Sequence, residues 1–409
     1  VYVLRFAIES PLDFLHICLP HDKGDFYKLF PTMNYEKEEE IHRLTQMIAN
    51  RGLSPEKKAE VYFKRGCLKD DCHDYKGAVK DLDKTISLKP DYCDAYVYRA
   101  DLRTRRNNYD GALSDYNMAI GNGLENEKVY RLRAELHCEM GNPQDALADY
   151  DKALQFEPQS MKLLSARGKI KHDMGDFYGA IADFEKMMGI KPEDGSTYFL
   201  RGQSRQGIED YAGAQKDFTQ AIRLGFELPD VYHQRSRARL LLGDPKGAIA
   251  DCNKALKWNT FFFYPEYFNT KALAYIMLHD YTKAILTLDK ALSEEPDNVE
   301  AHEIRFSAWV GLEDYEAARD EAHYLLEEYP DNPFYNFSFG FACLKIGSHQ
   351  EALAAFNKTL EINPDDAEAY YYRGEAKFML EDIEGAKSDY QHAKELDDQY
   401  DTPATWYGI

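Results

Sequence analysis

The sequence lacks several features that would point to a membrane, a nucleic acid or an oxidising compartment. No apolar run approaches the roughly 18 residues of a membrane-spanning helix, so we expect no membrane insertion. Basic charge is in deficit, with 71 acidic against 50 basic residues and a net charge of -21. Most of such a surface repels phosphate backbones, so we expect no nucleic-acid binding. The seven cysteines show no framework spacing, which favours free thiols and a cytoplasmic protein.

Motifs for catalysis are also missing. The sequence contains no nucleophile elbow, phosphate loop or dinucleotide fingerprint. Two groups of His and Cys could contribute metal ligands, but a structural zinc site needs four ligands and neither group has a matched second cluster. These groups are His16, Cys18 and His21, and Cys67, Cys72 and His73. We therefore expect no enzyme activity, no catalytic residue, no metal and no cofactor. The sequence starts at Val1 without a leader pattern or an initiating Met, which leaves a processed or trimmed start open.

What the sequence does contain is an internal repeat. A small residue recurs in steps of 34 residues, with one step of 36, at Ala78, Ala112, Ala146, Ala180, Ala214, Ala248, Ala284, Ala318, Ala352 and Ala386. A second marker lies twelve residues before each of these, at Gly66, Ala100, Ala134, Gly168, Gly202, Ser236, Ala272, Phe306, Gly340 and Gly374. Two helices approach closely only where both carry small side chains, so the markers predict ten pairs of crossing helices.

Local signals agree with these pairs. The turn between the two markers ends in a residue that can cap the second helix, at Asp74, Asn108, Asn142, Asp176, Asp210, Asp244, Asp280, Asp314, Ser348 and Asp382. Aromatic residues recur at fixed phases, with Tyr96, Tyr130 and Tyr232 early in the first helix and Tyr116, Phe218 and Phe356 in the second. Such spacing is typical of a repeating core rather than of a cofactor box. Prolines such as Pro90 and Pro192 end the second helix.

Stretches such as YYYRGEAKFMLEDIEGAKSDYQHA carry these markers in one run, and here the chain resembles the tetratricopeptide repeat family. The resemblance covers residues 59–400, and the Arg before the small marker is similar to the "RG" subtype of the repeat. It implies an all-α fold, a right-handed superhelical α-solenoid of ten tandem helix-turn-helix repeats with an N-terminal extension. In this family the first helix of each repeat, helix A, lines the concave face on which ligands usually lie.

The repeat gives a division of the chain. Residues 1–58 form an N-terminal extension with a capping helix, 59–262 form repeats one to six, 263–400 form repeats seven to ten, and 401–409 form a C-terminal tail. The capping helix is predicted over 37–50, where Ile41, Leu44 and Ile48 share a face. Pro31 is expected to interrupt the chain before this helix, and Ser54 to cap the first repeat.

A charged pair accompanies the repeat. The residue before the first marker is Arg65, Arg99, Arg133, Arg167, Arg201, Arg235, Lys271, Arg305, Phe339 and Arg373. Three residues after the alanine come Asp81, Asp115, Asp149, Asp183, Asp217, Asp251, Thr287, Glu321, Ala355 and Asp389. The ninth repeat loses both partners together, which predicts direct contact between helix A and the second helix, helix B. An unpaired charge in that interface would be costly.

The corresponding helix A positions differ along the chain. In repeats one to four they are largely polar, as at Asp70, Asp71, Asp101, Arg105, Arg131, Glu135, Glu139, Lys169 and Asp173. From repeat six they become apolar, and we take these as the candidate partner-binding residues: Leu240, Leu241, Leu273, Ile276, Met277, Val310, Phe337, Phe341, Leu344, Phe378 and Met379. Winding of the solenoid, or the N-terminal segment, is the alternative way to bury them. We expect replacement of Phe337 and Phe341 by Asp to abolish binding without loss of helix.

The sequence therefore predicts a protein-binding scaffold or adaptor that holds a partner peptide or helix on the concave surface. A regulatory or targeting subunit of a separate enzyme and a chaperone-like holder of client proteins are the alternatives. The Lys and Asn set of the family's chaperone-tail clamp is missing, since Phe63 and Cys67, for example, occupy the corresponding positions. The apolar insertion at Phe261, Phe262, Phe263 and Tyr264 either covers helix ends or contacts a partner. The oligomeric state is left open.

Overall fold

A computed structural model describes residues 31–258 and 264–400. Within these residues every regular element is an α-helix, and there are 21 of them. The helices are α1 (Pro31–Ala49), α2 (Pro55–Asp71), α3 (Tyr75–Leu88), α4 (Cys93–Thr104), α5 (Tyr109–Gly121), α6 (Glu127–Glu139), α7 (Pro143–Phe156), α8 (Met161–Asp173), α9 (Phe177–Ile190), α10 (Gly195–Gly207), α11 (Tyr211–Arg223), α12 (Pro229–Leu241), α13 (Pro245–Trp258), α14 (Pro265–Met277), α15 (Tyr281–Glu294), α16 (Val299–Gly311), α17 (Tyr315–Glu328), α18 (Pro333–Lys345), α19 (His349–Ile362), α20 (Ala367–Met379) and α21 (Ile383–Leu396). The chain forms two compact units, 1–170 and 171–409, which divide within α8.

The predicted all-α array of helix pairs is confirmed within each unit. Even-numbered helices from α2 are the A helices and odd-numbered helices from α3 are the B helices. All nine pairs that lie within one unit pack A against B, and successive pairs stack on one another. The alanine markers in helix B are fully buried. A Cβ atom at Gly202 would come within 2.6 Å of the Phe218 ring, so the small marker in helix A is sterically required there.

The first helix differs from its prediction at the N-terminal end. Helix α1 begins at Pro31, so the interpretation of Pro31 as an interruption and the start near residue 37 are both wrong. Proline fits the first turn of a helix because the N–H that it lacks would have no partner there. Leu44 is buried and packs the predicted face toward α2, and the Ser54 side chain accepts a hydrogen bond from the Lys57 N–H as predicted.

Capping of the B helices is confirmed in eight of the ten repeats. There the side chain of the predicted residue accepts a hydrogen bond from a backbone N–H three residues later, as between Asp210 and Gly213 at 2.9 Å. Asn142 and Ser348 make no such bond, so the prediction of ten caps is wrong at these two. In both repeats the residue three positions later is acidic, Asp145 or Glu351, a feature that the other eight repeats lack.

The turn inside each pair uses left-handed backbone. In every repeat the residue just before the cap has a positive φ, from 56° at His279 to 85° at Gly347. Four of these residues are Gly, and the other six are His73, Asn107, Glu209, His279, Glu313 and Glu381. Such a φ is unfavourable for a residue with a Cβ atom, so the six repeats accept local strain in order to keep the crossing angle of the pair.

The predicted charged pairs are confirmed in seven repeats, and the eighth predicted pair divides Arg167 and Asp183 between the two units. In repeat three, Arg133 donates from Nε and Nη2 to the two carboxylate oxygens of Asp149, at 2.7 and 2.6 Å. The same two-bond geometry recurs at Arg65–Asp81, Arg99–Asp115, Arg201–Asp217, Arg235–Asp251, Arg305–Glu321 and Arg373–Asp389. Each of these acids is at most 6% exposed, so the pair forms part of the helix interface.

Three further contacts of this network were not predicted. The residue four positions after the Arg is a second cation on the same carboxylate, as with Arg239 on Asp251 at 2.8 Å. The third guanidinium nitrogen, Nη1, reaches the B helix of the preceding repeat, as from Arg133 to Asn117 at 2.6 Å. The guanidinium also lies over a tyrosine ring three residues earlier, such as Tyr130 at 5.8 Å. One Arg therefore ties helix A to two B helices.

Removal of one partner of this pair is expected to destabilise the array. Asp149→Ala leaves Arg133 without its main acceptor in a half-buried position, which should lower the free energy of unfolding by about 2–4 kcal/mol. Asp149→Ala with Arg133→Leu should recover most of that loss. Urea unfolding followed by circular dichroism measures both. Repeat three suits the test because its second position holds neither Lys nor Arg but His137, which lies 3.9 Å from Asp149.

The matched control is an exposed ion pair. Glu384 lies 3.0 Å from Lys387 on the surface of α21, and Glu384→Ala should change the free energy of unfolding by less than about 0.5 kcal/mol. A double variant of repeat three no more stable than Asp149→Ala alone would show that Arg133 and Asp149 do not depend on each other.

Candidate partner-binding surface

The candidate residues lie along the A helices of the second unit, but they are not equally accessible. Four expose a large part of their side chains: Leu241 (61%), Met379 (54%), Met277 (46%) and Leu273 (39%). Leu240, Ile276, Val310, Phe337, Phe341 and Phe378 are half-buried. Leu344 is only 8% exposed and belongs to the core of repeat nine, because Cys343, Ala352 and Phe356 pack with it. Leu344 therefore offers a partner almost no surface.

The largest share of exposed apolar side chains falls on repeats six and seven. Leu241 on α12 and Met277 on α14 occupy equivalent positions in adjacent repeats, and α12 packs against α14. Leu273 lies one helical turn before Met277 and so shares its face. We call Leu241, Leu273 and Met277 the apolar patch.

The apolar character does not continue evenly into repeats eight and nine. Repeat eight has Ser307 and Gly311 where repeat seven has Leu273 and Met277. Repeat nine has the exposed Lys345 at the position of Met277, and Met379 restores an apolar side chain only in repeat ten. The candidate residues thus form an apolar patch and a separate aromatic region rather than one groove.

Phe337 and Phe341 belong to a packed aromatic cluster. Their rings stack at 6.5 Å, and Phe337 also contacts the buried ring of Phe356 at 5.7 Å. Tyr372 of the next repeat meets the Phe341 ring edge-on at 5.2 Å. The Lys345 ammonium lies 5.2 Å above Phe341. These rings hold repeat nine against repeat ten, so the two phenylalanines have a structural role whether or not a partner touches them.

A buried histidine lies on α12, one of the two helices that carry the apolar patch. His233 of α12 is 8% exposed, its Nε2 lies 2.9 Å from the Thr270 hydroxyl, and its ring packs against Tyr267 at 4.5 Å. Burial, together with the positive charge of Arg237, lowers the pKa of His233 to about 4. The imidazole is therefore neutral at physiological pH and acts as a packing and hydrogen-bonding group.

Charges on the A helices of the first unit are mostly paired with one another. Asp70 accepts a hydrogen bond from the Tyr98 hydroxyl at 3.0 Å and an ion pair from Arg105 at 2.7 Å. Arg131 pairs with Glu127 and Glu135 in its own helix. Since Asp70 has its partners in the next repeat and Arg131 has its partners in its own helix, this face offers fewer unpaired groups than its composition predicts.

Within the residues that the structure describes, no three His, Cys, Asp or Glu side chains are arranged to hold a metal ion. Burial raises the pKa of Cys67 to about 11, which keeps it as a thiol rather than the thiolate that binds metals. His16, Cys18 and His21 lie outside the described residues, as do Phe261, Phe262 and Phe263. Tyr264 is described and stacks on Tyr267 at 5.2 Å. No helix in the described ranges is long and apolar enough to cross a membrane.

Comparison with known proteins identifies the repeat. Models of the tetratricopeptide repeat match residues 229–261 and 269–333, and a TPR repeat model matches 340–381. No functionally characterised protein sequence matched significantly.

Solved structures give the same fold. The C-terminal part of a TPR repeat-containing protein from Cytophaga hutchinsonii aligns with a TM-score of 0.51 and 19% identity, over 59% of this chain and 98% of that one. A tetratricopeptide repeat protein from Parabacteroides merdae has a TM-score of 0.44 and 18% identity, over 61% and 98%. A fragment of MamA from Desulfovibrio magneticus has a TM-score of 0.40 and 18% identity, over 42% and 97%.

The aromatic cluster gives a stability prediction. Phe337→Asp places a charge among the rings of Phe341, Phe356 and Tyr372, so it should lower the free energy of unfolding by roughly 3 kcal/mol or more. Met379→Asp, at a side chain that is mostly exposed, should cost less than about 1 kcal/mol. Urea unfolding of both variants measures the difference. Equal, small losses would show that Phe337 does not support the fold.

His233 gives a pH prediction. Its pKa is near 6.5 in the unfolded chain and about 4 when folded, so the unfolded state binds more protons between these values. Stability is therefore lost as pH falls from 6.5 toward 4, by about 2 kcal/mol between roughly pH 7 and pH 5. His233→Gln should lack this part of the loss. Urea unfolding at the two pH values tests it, and an equally steep loss in the variant would assign the effect to other groups.

Proposed function

The chain is a tetratricopeptide repeat protein, and from that premise we propose that it is a scaffold or adaptor that holds a partner protein on the A helices of repeats six to ten. The partner contributes a peptide segment or a helix with an apolar face. The binding residues are the apolar patch of Leu241, Leu273 and Met277, with Met379 as a further contact. The protein carries out no reaction of its own and works in the cytoplasm.

The observation that carries the proposal is the exposure of the apolar patch. Three large aliphatic side chains stand together on two adjacent helices, although nothing in the packing of repeats six and seven prevents polar residues there. Repeats one and two carry Asp71, Asp101 and Arg105 at equivalent positions. A contiguous exposed apolar patch on a folded protein usually marks an interaction site.

The partner's chemistry follows from this surface. An amphipathic helix or an extended segment with two or three aliphatic or aromatic anchors fits side chains spaced by one repeat and by one helical turn. The half-buried side chains of Leu240 and Ile276 add apolar surface beside the patch. Phe337 and Phe341 lie on repeat nine, at the other end of the proposed surface, and also pack in their own cluster. A strongly acidic partner is disfavoured, since the chain itself carries a net charge of -21.

The test uses a variant of the apolar patch rather than of the aromatic cluster. Leu241→Asp with Met277→Asp changes two exposed side chains and should leave unfolding by urea within about 1 kcal/mol of wild type. In affinity capture with quantitative mass spectrometry, partners of the wild-type protein should fall by about tenfold or more with this variant. Cross-links from captured partners should map to α12, α14 and α20.

The matched control is Leu286→Asp. Leu286 is 58% exposed on helix B of repeat seven, so it changes an equally exposed leucine away from the A helices. Partners should be retained by this control. Equal capture by all three proteins contradicts the proposal. Loss of one stoichiometric catalytic chain with the patch variant would instead favour a regulatory subunit, and loss of many unfolded clients a chaperone-like holder.

A further inference from the structure

Repeat eight departs from the other repeats around a cavity of about 650 Å³. The cavity lies among α15, α16 and α17, within the second unit. Its walls include Leu292, Pro296, Trp309 and Tyr324, and two carboxylates, Asp289 and Asp320, line it as well. No other repeat combines two aromatic walls with carboxylates in this way at the equivalent positions.

The aromatic walls stand where other repeats place cations. Trp309 is four residues after Arg305, a position that carries the second cation at Lys69, Arg103, Lys171, Arg205, Arg239 and Lys377. Tyr324 occupies the position of Lys84, Lys152, Lys186, Lys254, Lys290 and Lys358. Repeat eight therefore has aromatic rings at two positions where six of the other nine repeats carry Lys or Arg.

The carboxylate at the base of the cavity does not need these cations. Glu321 is held by Arg305, with Nε at 2.7 Å, and by the buried His302, whose Nδ1 contacts it. The other ring nitrogen, Nε2, lies 2.8 Å from the Pro296 carbonyl oxygen, which can only accept a hydrogen bond. Glu321 therefore has Arg305 and His302 as partners in place of a second Lys or Arg.

The acids at the rim face solvent. The Asp289 side chain is 50% exposed and pairs with Arg305 Nη1 at 2.9 Å, whereas the Asp320 side chain is 71% exposed and pairs with the adjacent Arg319 at 2.7 Å. Both retain carboxylate lone pairs for a further donor. Since each of these ion pairs is solvent-exposed, an incoming cation that replaces the basic partner costs little free energy.

The surroundings are strongly acidic. Residues 297–330 contain ten acidic residues and two basic ones, whereas residues 57–90 of repeat one contain six acidic and nine basic residues. The ten are Asp297, Glu300, Glu303, Glu313, Asp314, Glu316, Asp320, Glu321, Glu327 and Glu328. The cavity itself is lined by three carboxylates, Asp289, Asp320 and Glu321, against one guanidinium, Arg305, so its lining favours a cation over an anion.

We propose that this cavity binds the guanidinium group of an arginine from a protein partner. The planar guanidinium stacks on Trp309, contacts Tyr324, whose ring already stacks on His302 at 4.3 Å, and donates hydrogen bonds to Asp289 and Asp320. The cavity is separate from the apolar patch. His302, Arg305 and Trp309 follow one side of α16, and Glu303, Ser307 and Val310 follow another. A partner with an apolar segment and a nearby arginine would engage both surfaces.

The experiment follows the tryptophan indole N–H signals of the 15N-labelled full-length chain, which has three tryptophans. The signal that disappears in Trp309→Phe belongs to the cavity. The probe is N-acetyl-argininamide, and its neutral isostere N-acetyl-citrullinamide is the comparison. The arginine probe should shift the Trp309 signal saturably and bind at least about fivefold more tightly than the citrulline probe. Asp289→Asn with Asp320→Asn should remove that difference.

Glu384→Gln is the control for overall charge, because Glu384 is an exposed carboxylate on α21 outside the cavity. Its affinity for the arginine probe should equal that of wild type. Circular dichroism of each variant establishes that helix content is kept. An unmoved Trp309 signal, equal affinity for both probes, or an equal loss in Glu384→Gln and the double Asp variant would each overturn the proposal.

Discussion

The array depends on a carboxylate that most B helices bury and that must be neutralised where it lies. A lone carboxylate that is only a few per cent exposed would strongly destabilise the fold, so the array requires the Arg on helix A. Since that Arg also bonds an acceptor on the preceding B helix, as Arg99 does to Asp83, neutralisation within one repeat fixes the position of the next. Even α1 follows this rule, because Thr45 accepts from Arg65 as a B helix would.

In repeat nine the whole network changes together, whereas repeat seven keeps Lys271 beside Thr287 and repeat eight replaces only the second cation, by Trp309. Repeat nine replaces Arg, second cation and carboxylate by Phe339, Cys343 and Ala355, and the acceptor position on the preceding B helix holds His323, whose ring contacts Phe339 at 5.8 Å. An apolar set of similar volume is as acceptable in the interface as a complete ionic one. This explains why the aromatic cluster of Phe337, Phe341 and Tyr372 lies in the repeat where the ionic network is gone.

Much of the fold could be predicted from the sequence, because ten copies act as an internal alignment. In repeat nine Phe339 and Ala355 replace the Arg and the acid together, and this joint replacement is enough to predict the contact of Arg133 with Asp149. A second basic residue also recurs in the sequence four positions after the Arg, but its bond to the same carboxylate is not among the predicted contacts. Accessibility was the harder quantity: whether Phe337 is exposed depends on Tyr372 in the next repeat, and spacing within one helix carries no information about that.

The two candidate surfaces fall in repeats six to eight, where single positions depart from the regular pattern, and the charge network offers a physical reason. A regular repeat pairs its acids, its Arg, its second cation and its Tyr with one another, and Asp70 and Arg105 form a similar pair between repeats one and two. Few unpaired polar groups are therefore left for a ligand. Replacing a cation by Trp309, or a charged helix A residue by Met277, withdraws one member of such a set. The side chains that remain in the set are then available to a side chain of a partner rather than to one of the same chain.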